Sequence, residues 1–364
     1  MHISEIDTPA LLIDLDIMER NICRVAEYAR KYDLRVRPHT KTHKSTAVGR
    51  RQLAAGAAGL TVAKVSEAEV MLGAAPPELL VAYPIIGHAK LERLVEVGRK
   101  TRVTVALDSL FAARQLSDAA RAGQVTFGVL AETDVGLGRV GVCPGEELLH
   151  LARGIERLPR LRFEGVAFYP GHIKETGEGA QEALERLCGL LRSITEAFRR
   201  AGMPLPLISG GSTPTLFRSH ELPGLNEIRP GTYVFNDGNT VATGACTLAD
   251  CAASILVTVV STAHRGQVIV DGGSKTFSSD RLTGAAEITF GHVTDAPRAV
   301  FGKMNEEHGY IDVSRAAREF AIGDRLRIIP NHVCTAMNLH EMVYGVRGDR
   351  VEETWKVEAR GKLQ

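Results

Sequence analysis

Short apolar runs alternate with longer amphipathic segments from Leu34 to about Arg229, and this alternation constrains the fold more than any other feature. The amphipathic segments carry apolar residues three and four apart, which predicts helices, as at Leu91–Gly98, Leu110–Ala122 and Ala180–Ala201. Eight runs between them have the length and composition of strands: Leu34–Pro38, Gly59–Ala63, Leu79–Tyr83, Arg102–Leu107, Val125–Ala131, Phe163–Phe168, Pro206–Ser209 and Asn226–Arg229. A count of eight favours a closed (β/α)8 barrel of parallel strands and crossover helices over an open doubly wound sheet.

The pattern changes after Gly238, where helical segments become rare. Strand-like runs rich in β-branched residues follow, separated by Gly, Asp and Asn turns: Ser254–Ala263, Val268–Asp271, Leu326–Ile329 and Val351–Val357. We therefore predict a (β/α)8 barrel at residues 17–240 and a β-rich C-terminal domain at residues 245–364. Because the run Ala10–Asp16 precedes the first helix, residues 1–16 are expected to join the β-rich domain.

The charge balance argues against several classes of partner. Lys plus Arg total 44 and Asp plus Glu total 43, so no basic surplus indicates nucleic acid. No stretch approaches about 18 uninterrupted apolar residues, which argues against a membrane span, and Met1–Asp7 lacks the pattern of a signal peptide. The six cysteines lack the dense spacing of a secreted disulfide scaffold. We expect a cytoplasmic protein with reduced thiols that acts on a small molecule.

A lysine follows the first predicted barrel strand, in the octapeptide from Arg37 to Lys44. The active site of a (β/α)8 barrel lies at the carboxyl ends of its strands, so Lys41 is placed where a Schiff-base lysine would act. Its cationic neighbours favour an amine that attacks an aldehyde. A basic loop that is merely solvated, or that binds an anion, explains the octapeptide alone equally well.

Glycines and hydroxyl residues follow the last two predicted barrel strands. They are Gly210, Gly211, Ser212 and Thr213 after the seventh strand, and Gly231, Thr232 and Tyr233 after the eighth. Barrels use such segments to bind a phosphate through backbone N–H groups. A glycine-serine turn is weak evidence alone, but a lysine after strand one together with this segment fits pyridoxal 5'-phosphate.

His332 and Cys334 lie two residues apart, just after the strand-like run Leu326–Ile329. In an extended chain such residues point to the same side, so both side chains can reach one ion. A nitrogen and a thiolate suit a borderline-soft ion such as Zn²⁺. Two ligands leave positions open for water and substrate, as a catalytic site requires. His-x-Cys without further support is usually structural.

Several motifs together resemble one family: Asp7-Thr8-Pro9, Pro38-His39-Thr40-Lys41-Thr42-His43-Lys44, Val65-Ser66-Glu67-Ala68, Gly210-Gly211-Ser212-Thr213-Pro214, Glu307-His308-Gly309 and Pro330-Asn331-His332-Val333-Cys334. They are similar, in order and almost end to end, to the D-threonine aldolase and metal-dependent D-serine dehydratase family of the alanine-racemase-like fold (fold-type III pyridoxal-phosphate enzymes). The resemblance implies pyridoxal phosphate on Lys41 and a divalent metal, with Zn²⁺ expected and Mn²⁺ or Mg²⁺ as alternatives. It also implies a homodimer.

The resemblance further implies roles for single residues. Arg139 matches an arginine near the cofactor ring, and Tyr169 matches an aromatic residue lining the same pocket, although a packing role at the barrel rim is the alternative for Tyr169. Typical aldolases carry a histidine in a Tyr-x-Gly-x-x-x-His pattern, where this chain has Glu175, with His172 displaced. His172 is therefore the candidate second catalytic residue. The family's metal-binding histidine is followed by aspartate in typical aldolases and by cysteine in dehydratases, and this chain has Cys334.

These features predict a lyase acting on D-3-hydroxy amino acids such as D-serine, D-threonine or D-3-hydroxyaspartate. Dehydration with deamination and retro-aldol cleavage to glycine plus an aldehyde both stay open. An amino-acid racemase and a non-catalytic pyridoxal-phosphate carrier are further alternatives. Racemases of this fold usually place a tyrosine opposite the lysine, where this chain offers His332 and Cys334. Glu307-His308-Gly309 has no derived role, and a structural turn is the simplest interpretation.

The assignment of Lys41 predicts a yellow purified protein, because a lysine-bound pyridoxal phosphate absorbs visible light. Borohydride should fix the cofactor covalently to Lys41, and peptide mapping of the reduced protein checks this. An adduct at Lys44 in place of Lys41 would overturn the assignment.

Overall fold

A computed structural model describes residues 1–174, 178–284 and 287–364 of the chain. Glu175, which occupies the aldolase histidine position, lies outside the described residues. The strands in chain order are β1 (Ala10–Asp14), β2 (Arg35–Val36), β3 (Leu60–Val62), β4 (Glu78–Val81), β5 (Arg102–Leu107), β6 (Phe127–Glu132), β7 (Leu161–Ala167), β8 (Leu207–Gly210), β9 (Glu227–Ile228), β10 (Ala253–Ser261), β11 (Gln267–Val270), β12 (Gly291–Val293), β13 (Val300–Met304), β14 (Gly309–Asp312), β15 (Arg325–Pro330), β16 (Met342–Arg347) and β17 (Arg350–Lys356).

The α-helices in chain order are α1 (Leu15–Lys31), α2 (Thr46–Ala54), α3 (Val65–Met71), α4 (His88–Gly98), α5 (Leu110–Gly123), α6 (Glu146–Glu156), α7 (Glu178–Arg200), α8 (Gly238–Ala242), α9 (Ser274–Phe277) and α10 (Val333–Leu339). None of the helices in the described part of the chain combines the length and the apolar character that a membrane span needs.

The chain forms two compact units. Residues 24–41, 46–231 and 362–364 form one, here called the barrel unit, and residues 1–23, 42–45 and 232–361 form the other, here called the β unit. The sequence did not predict that residues 42–45 group with the β unit. The division into folding domains at residues 17–240 and 245–364 stays a proposal.

The barrel unit contains eight parallel strands in the order β2-β9-β8-β7-β6-β5-β4-β3. The short strand β2 is extended by a parallel bridge between His39 and Thr61, which joins it to β3. Thr40 N donates to Thr61 O at 2.8 Å, and Thr61 N donates to Pro38 O at 2.8 Å. These bonds close the ring of strands, and the predicted (β/α)8 barrel is confirmed.

Helix α5 shows why the predicted helices form. Ser109 caps its start, because the Ser109 hydroxyl accepts a hydrogen bond from Ala112 N at 3.3 Å. The apolar positions Ala112, Leu116 and Ala120 repeat every four residues and are buried against the sheet side. The helix ends where Gln124 adopts a left-handed conformation with φ 54°.

Buried ion pairs fill the amino-terminal end of the barrel, where Glu78 and Glu227 open strands β4 and β9. The Arg37 side chain is only 1% exposed, and its Nη2 lies 2.7 Å from Glu227 Oε2 and 3.1 Å from Glu78 Oε1. Arg102 Nη2 pairs with Glu164 Oε1 at 2.8 Å in the same layer. These charges lie at the end of the barrel opposite to the one that carries the reacting groups of such barrels.

The β unit is built on one extended sheet in the order β13-β14-β11-β10-β1-β16-β17, with β15 pairing β10 and β12. Strand β1 is central: Ala10 pairs with Leu256 of β10 in antiparallel fashion, and Leu11 pairs with Val343 of β16 in parallel. The expectation that the opening run joins this sheet is confirmed. The sequence analysis missed β12, β13, β14 and β16, because glycines interrupt these short apolar runs.

Replacing Arg37 with Met should destabilise the protein by about 3–5 kcal/mol, because Glu78 and Glu227 would then hold buried charges without their partner. Urea unfolding of the two proteins measures this difference. Arg121→Met removes an exposed arginine 3.9 Å from Asp118 and should leave the unfolding midpoint near that of the parent. Equal stability of the Arg37 variant and the parent would contradict the role of the cluster.

Candidate active site

Most residues predicted for the cofactor follow strands of the barrel unit at their carboxyl ends. These residues are Lys41 after β2, Arg139 after β6, Tyr169 after β7, Gly210, Gly211, Ser212 and Thr213 at the end of β8, and Gly231 after β9. The carboxyl ends of parallel strands lie on one face of a barrel, so the fold gathers these positions on the face that carries reactions in such barrels.

The Tyr169 ring brings two predicted cations together. Lys41 Nζ lies 5.8 Å from the centre of the ring, and the Arg139 guanidinium carbon lies 4.9 Å from it. Gly171 makes the ring position possible, because a Cβ at residue 171 would lie 2.3 Å from Tyr169 Cε1. Both predicted cofactor residues thus lie close to the Tyr169 ring.

The loop that carries Arg139 is fixed by a carboxylate. Asp134 Oδ1 accepts the backbone N–H groups of Gly136, Leu137 and Gly138 at 3.0–3.1 Å. Burial raises the pKa of the Asp134 carboxyl, but these hydrogen bonds outweigh it and hold the pKa below its ordinary value. The exposed His172 packs on the same loop, since a Cβ at Gly136 would lie 3.2 Å from its ring.

The segment after β8 presents backbone donors. Gly211 has φ +87°, a conformation that favours glycine. The buried Ser212 hydroxyl lies 3.1 Å from that of Thr215, which holds the turn closed. Within the described part of the chain, no hydrogen bond uses the N–H groups of Gly211, Ser212 or Thr213. The turn can therefore direct three donors at an anion.

Two charged residues at the same face were missed by the sequence analysis. Arg229, just after β9, donates from Nη2 to Phe168 O at 2.8 Å, but among the described residues its buried Nε has no hydrogen-bond partner. Glu132, the last residue of β6, is 5% exposed and has a buried Oε2 without a partner. The sequence could have revealed both, because each is a charged residue at the carboxyl end of a strand-like apolar run.

The two residues influence each other electrostatically. Burial lowers the pKa of the Arg229 guanidinium, and the negative charge of Glu132 partly offsets this shift. Burial likewise raises the pKa of the Glu132 carboxyl, opposed by Arg229 and Arg139. The Glu132 carboxylate thus interacts with the positive charges of Arg229 and Arg139. The Arg229 Nε–H, which has no acceptor among the described residues, is a donor that a ligand could satisfy.

In the β unit, His332 and Cys334 meet by a route other than the predicted one. His332 is the N-cap residue of α10 and Cys334 lies in its first turn, so the assumption of an extended chain is wrong. Their side chains nevertheless lie close enough for each to shift the pKa of the other. Asp280 Oδ2 lies 2.6 Å from His332 Nδ1, an interaction that the sequence did not reveal. Asp280 thereby leaves His332 Nε2 available as a ligand.

The electrostatics of this pair favour a thiolate at Cys334 and a protonated His332, which must lose a proton before it can bind a metal. The hydrogen bond to Cys334 raises the pKa of His332 to about 9, with burial opposing and Asp280 assisting. Burial raises the pKa of the Cys334 thiol, but the hydrogen bonds from His332 and Thr42 outweigh it and bring the pKa below its ordinary value. The sulfur is therefore biased toward the thiolate, which is the form that binds a metal.

Other groups of the β unit hold this pair. Thr42 Oγ1 lies 3.2 Å from Cys334 Sγ, and Thr232 Oγ1 lies 3.8 Å from the same atom. The buried Asp237 carboxylate accepts Val333 N at 3.0 Å, and burial raises its pKa. Thr232 and the buried Tyr233, predicted for the cofactor, belong to this unit.

The number of protein donors around the pair is small. Across residues 1–174, 178–284 and 287–364, no group of three or more His, Cys, Asp or Glu side chains is arranged to hold a metal. His332 and Cys334 therefore offer two donors. Glu307-His308-Gly309 lies apart from them at the β13–β14 turn, where Asn305 N donates to His308 O at 2.9 Å.

Comparison with known families matches both parts of the chain. Residues 13–238 match the family described as alanine racemase, N-terminal domain, and residues 252–346 match the family described as putative serine dehydratase domain. The D-threo-3-hydroxyaspartate dehydratase of Delftia sp. (strain HT23) is 35% identical, over 96% of this chain and 97% of that protein. The D-threonine aldolase of Arthrobacter sp is 31% identical, over 99% of this chain and 94% of that protein.

Solved structures agree with these matches. The crystal structure of D-threonine aldolase from Filomicrobium marinum superposes with a TM-score of 0.93 at 31% identity, covering 99% of this chain and 98% of that chain. A cysteine-to-alanine variant of a D-threo-3-hydroxyaspartate dehydratase, solved in the metal-free form, superposes with a TM-score of 0.89 at 33% identity, covering 98% of each chain.

Replacing Gly211 with Val should weaken pyridoxal-phosphate binding by about tenfold or more (~1.4 kcal/mol), because a Cβ and a changed backbone disturb the three donors of the turn. Titration of the cofactor-free protein, followed by absorbance, gives the affinity. The matched control is Gly202→Val, which also replaces a glycine of positive φ (+66°) but has no atom near its Cβ and lies outside the turn. An unchanged affinity in the Gly211 variant, or an equal loss in both, would contradict the predicted cradle.

Proposed function

Because the chain belongs to the family of D-threonine aldolases, D-3-hydroxyaspartate dehydratases and D-serine dehydratases, we propose that it is a lyase that removes water and ammonia from D-3-hydroxy amino acids. The family resemblance inferred from the sequence motifs is confirmed by these matches. The observation that carries dehydration, rather than aldol cleavage, is the half-buried Cys334 two residues after His332, with its sulfur 3.2 Å from Thr42 Oγ1. According to the family resemblance, the dehydratases have cysteine at this position, whereas typical aldolases have aspartate.

The barrel face fits pyridoxal phosphate as a resident cofactor. We assign the phosphate to the N–H groups of Gly211, Ser212 and Thr213, which have no partner in the described chain, with Gly231 and Thr232 as further contacts. The unpaired Arg229 Nε–H suits a ring nitrogen that accepts a hydrogen bond. Lys41 would hold the aldehyde carbon through its amine, with Arg139 and Tyr169 beside the ring.

The β unit fits a divalent ion, which we take to be Zn²⁺. His332 Nε2 and Cys334 Sγ supply a nitrogen and a sulfur donor, and Asp280 orients the imidazole through Nδ1. Two protein donors leave coordination positions open to water and substrate, which a catalytic site needs and a structural zinc site lacks.

The bound groups would supply two effects: pyridoxal phosphate draws electrons from the substrate's α-carbon, and the divalent ion acts as a Lewis acid on its β-hydroxyl. Lys41 Nζ removes the α-proton, and it can reach only one face of the substrate. His332 and Cys334 would hold the divalent ion. The substrate thus loses hydrogen from Cα and hydroxide from Cβ as water, and hydrolysis of the product gives a 2-oxo acid and ammonia.

Retro-aldol cleavage to glycine and an aldehyde is the second candidate, and the structural likeness to D-threonine aldolase favours it. It needs a base for the hydroxyl proton, and His172 on the Arg139 loop is the candidate. Racemase and carrier functions are less well supported, because neither uses the pair formed by His332 and Cys334. We further propose a cytoplasmic homodimer.

The purified protein should convert D-serine, D-threonine or D-3-hydroxyaspartate to the corresponding 2-oxo acid and ammonia. A chelator should abolish turnover while the yellow colour persists. Cys334→Ala should lower kcat/KM by about 100-fold or more, because a Lewis acid contributes several kcal/mol to the transition state. Coupled assays for the oxo acid and for the aldehyde distinguish the two reactions.

The matched control is Cys251→Ala, which removes a different cysteine of the β unit, one that is buried, and should leave turnover near that of the parent. Glycine plus aldehyde as products would favour the aldolase alternative. Equal turnover of L and D substrates, or full activity after exhaustive chelation, would contradict the proposal.

A further inference from the structure

The hydroxyl of Thr42 contacts the sulfur of Cys334, the thiolate donor of the proposed metal site. Thr42 Oγ1 lies 3.2 Å from Cys334 Sγ, within the range of a hydrogen bond to sulfur. Thr42 is fully buried, with 0% of its surface exposed. A buried hydroxyl needs a partner, and the structure gives it this sulfur.

The chemistry fixes the direction of this hydrogen bond. A sulfur that binds a metal is a thiolate and has no proton to donate. The Thr42 hydroxyl is therefore the donor and the Cys334 sulfur the acceptor. The hydrogen bond from Thr42 fixes the orientation of the sulfur, and with it the directions in which the remaining lone pairs point.

The segment that carries Thr42 is held firmly. Lys44 O accepts Ala359 N at 3.0 Å, and Lys44 Nζ donates to Ala359 O at 3.3 Å. Ser45 N lies 3.1 Å from His43 Nδ1, and both residues are buried. Threonine is also restricted at χ1 because it is β-branched. The hydroxyl is therefore in place before any ion binds, which lowers the cost of ordering the site.

Each donor of the metal pair has its own partner. Asp280 orients the His332 ring through Nδ1 at 2.6 Å. Asp237 fixes the backbone between the two donors by accepting Val333 N at 3.0 Å. Neither contact orients the Cys334 side chain, whose sulfur lies near two hydroxyl groups. Thr42 Oγ1, at 3.2 Å, is nearer to the sulfur than Thr232 Oγ1, at 3.8 Å.

We infer that Thr42 is a positioning residue for the metal site: its hydroxyl donates to the Cys334 thiolate and holds it in the orientation that binds a divalent ion. This inference rests on the proposed function. Thr42 directly follows Lys41 in the chain, so one short segment carries both the cofactor lysine and the partner of the metal ligand. A substitution at residue 42 should therefore act on metal affinity without removing the lysine.

The experiment measures Zn²⁺ affinity of the cofactor-loaded protein by competition with a coloured chelator. Thr42→Val should weaken Zn²⁺ binding by about 10- to 100-fold, the usual effect of losing an outer-shell partner. Thr42→Ser keeps the hydroxyl and should restore the affinity. The matched control is Thr40→Val, because the buried Thr40 hydroxyl donates to Thr61 O at 3.1 Å, away from the sulfur. It should lower the melting temperature but leave Zn²⁺ affinity unchanged.

A spectroscopic measurement adds a readout that general loss of stability would not move. In Co²⁺-loaded protein, the sulfur-to-cobalt charge-transfer band should shift in Thr42→Val and return in Thr42→Ser, because the hydrogen bond withdraws charge from the sulfur. If the valine side chain prevents folding, the smaller variant Thr42→Ala is used in place of Thr42→Val. The yellow colour should persist in all variants.

The outcomes separate this inference from the proposed function. Wild-type Zn²⁺ affinity and an unshifted cobalt band in Thr42→Val would overturn the role of Thr42, as would an equal loss of affinity in Thr40→Val. A parent protein that binds no Zn²⁺, or one in which Cys334→Ala has no effect on binding, would overturn the proposed metal site instead.

Discussion

The barrel depends on the backbone hydrogen bonds between the segment 38–40 and Thr61. Strand β2 has only two residues, so regular pairing at Arg35 and Val36 cannot by itself close the ring. The bonds from Thr40 N to Thr61 O and from Thr61 N to Pro38 O extend the pairing toward the carboxyl end of the strand. The same bonds bring the chain to the barrel rim directly before Lys41. The backbone hydrogen bonds between residues 38–40 and Thr61 therefore both close the sheet and place the proposed cofactor lysine.

Both ends of the barrel bury charged side chains whose polar atoms are incompletely hydrogen-bonded within the described part of the chain. At the amino-terminal end, Arg37 forms ion pairs with Glu78 and Glu227 that offset part of the desolvation cost, but among the described residues Arg37 Nε and Nη1 have no hydrogen-bond partner. At the carboxyl end, Arg229 Nε and Glu132 Oε2 are likewise buried without a hydrogen-bond partner in the part of the chain that the structure describes. Unsatisfied groups are costly in a folded protein unless a ligand completes them.

The proposed metal pair in the β unit depends on groups that do not bind the ion. Asp280 occupies one nitrogen of His332, Asp237 holds the backbone at Val333, and Thr42 contacts the sulfur of Cys334. Outer-shell contacts of this kind fix the ligand orientation and so decide how tightly an ion is held. The proposed chemistry, in which a hydroxide leaves, requires an ion with open positions, and two donors provide them.

Local sequence determined much of this protein. The eight barrel strands, the position of Lys41 after the first and of Gly211 near the seventh follow from apolar periodicity and turn residues, which act over a few neighbouring residues. The prediction of an extended chain at His332 was wrong, because His332 is the N-cap residue of α10. The motif alone contains no signal that a helix begins there. Local sequence also missed Arg229, Glu132, Asp280 and Thr42 as parts of the site. Their importance lies in contacts across 52 residues for Asp280 with His332 and 292 residues for Thr42 with Cys334. Only the tertiary structure decides such contacts, because burial and long-range packing, rather than the neighbouring sequence, determine which polar groups meet.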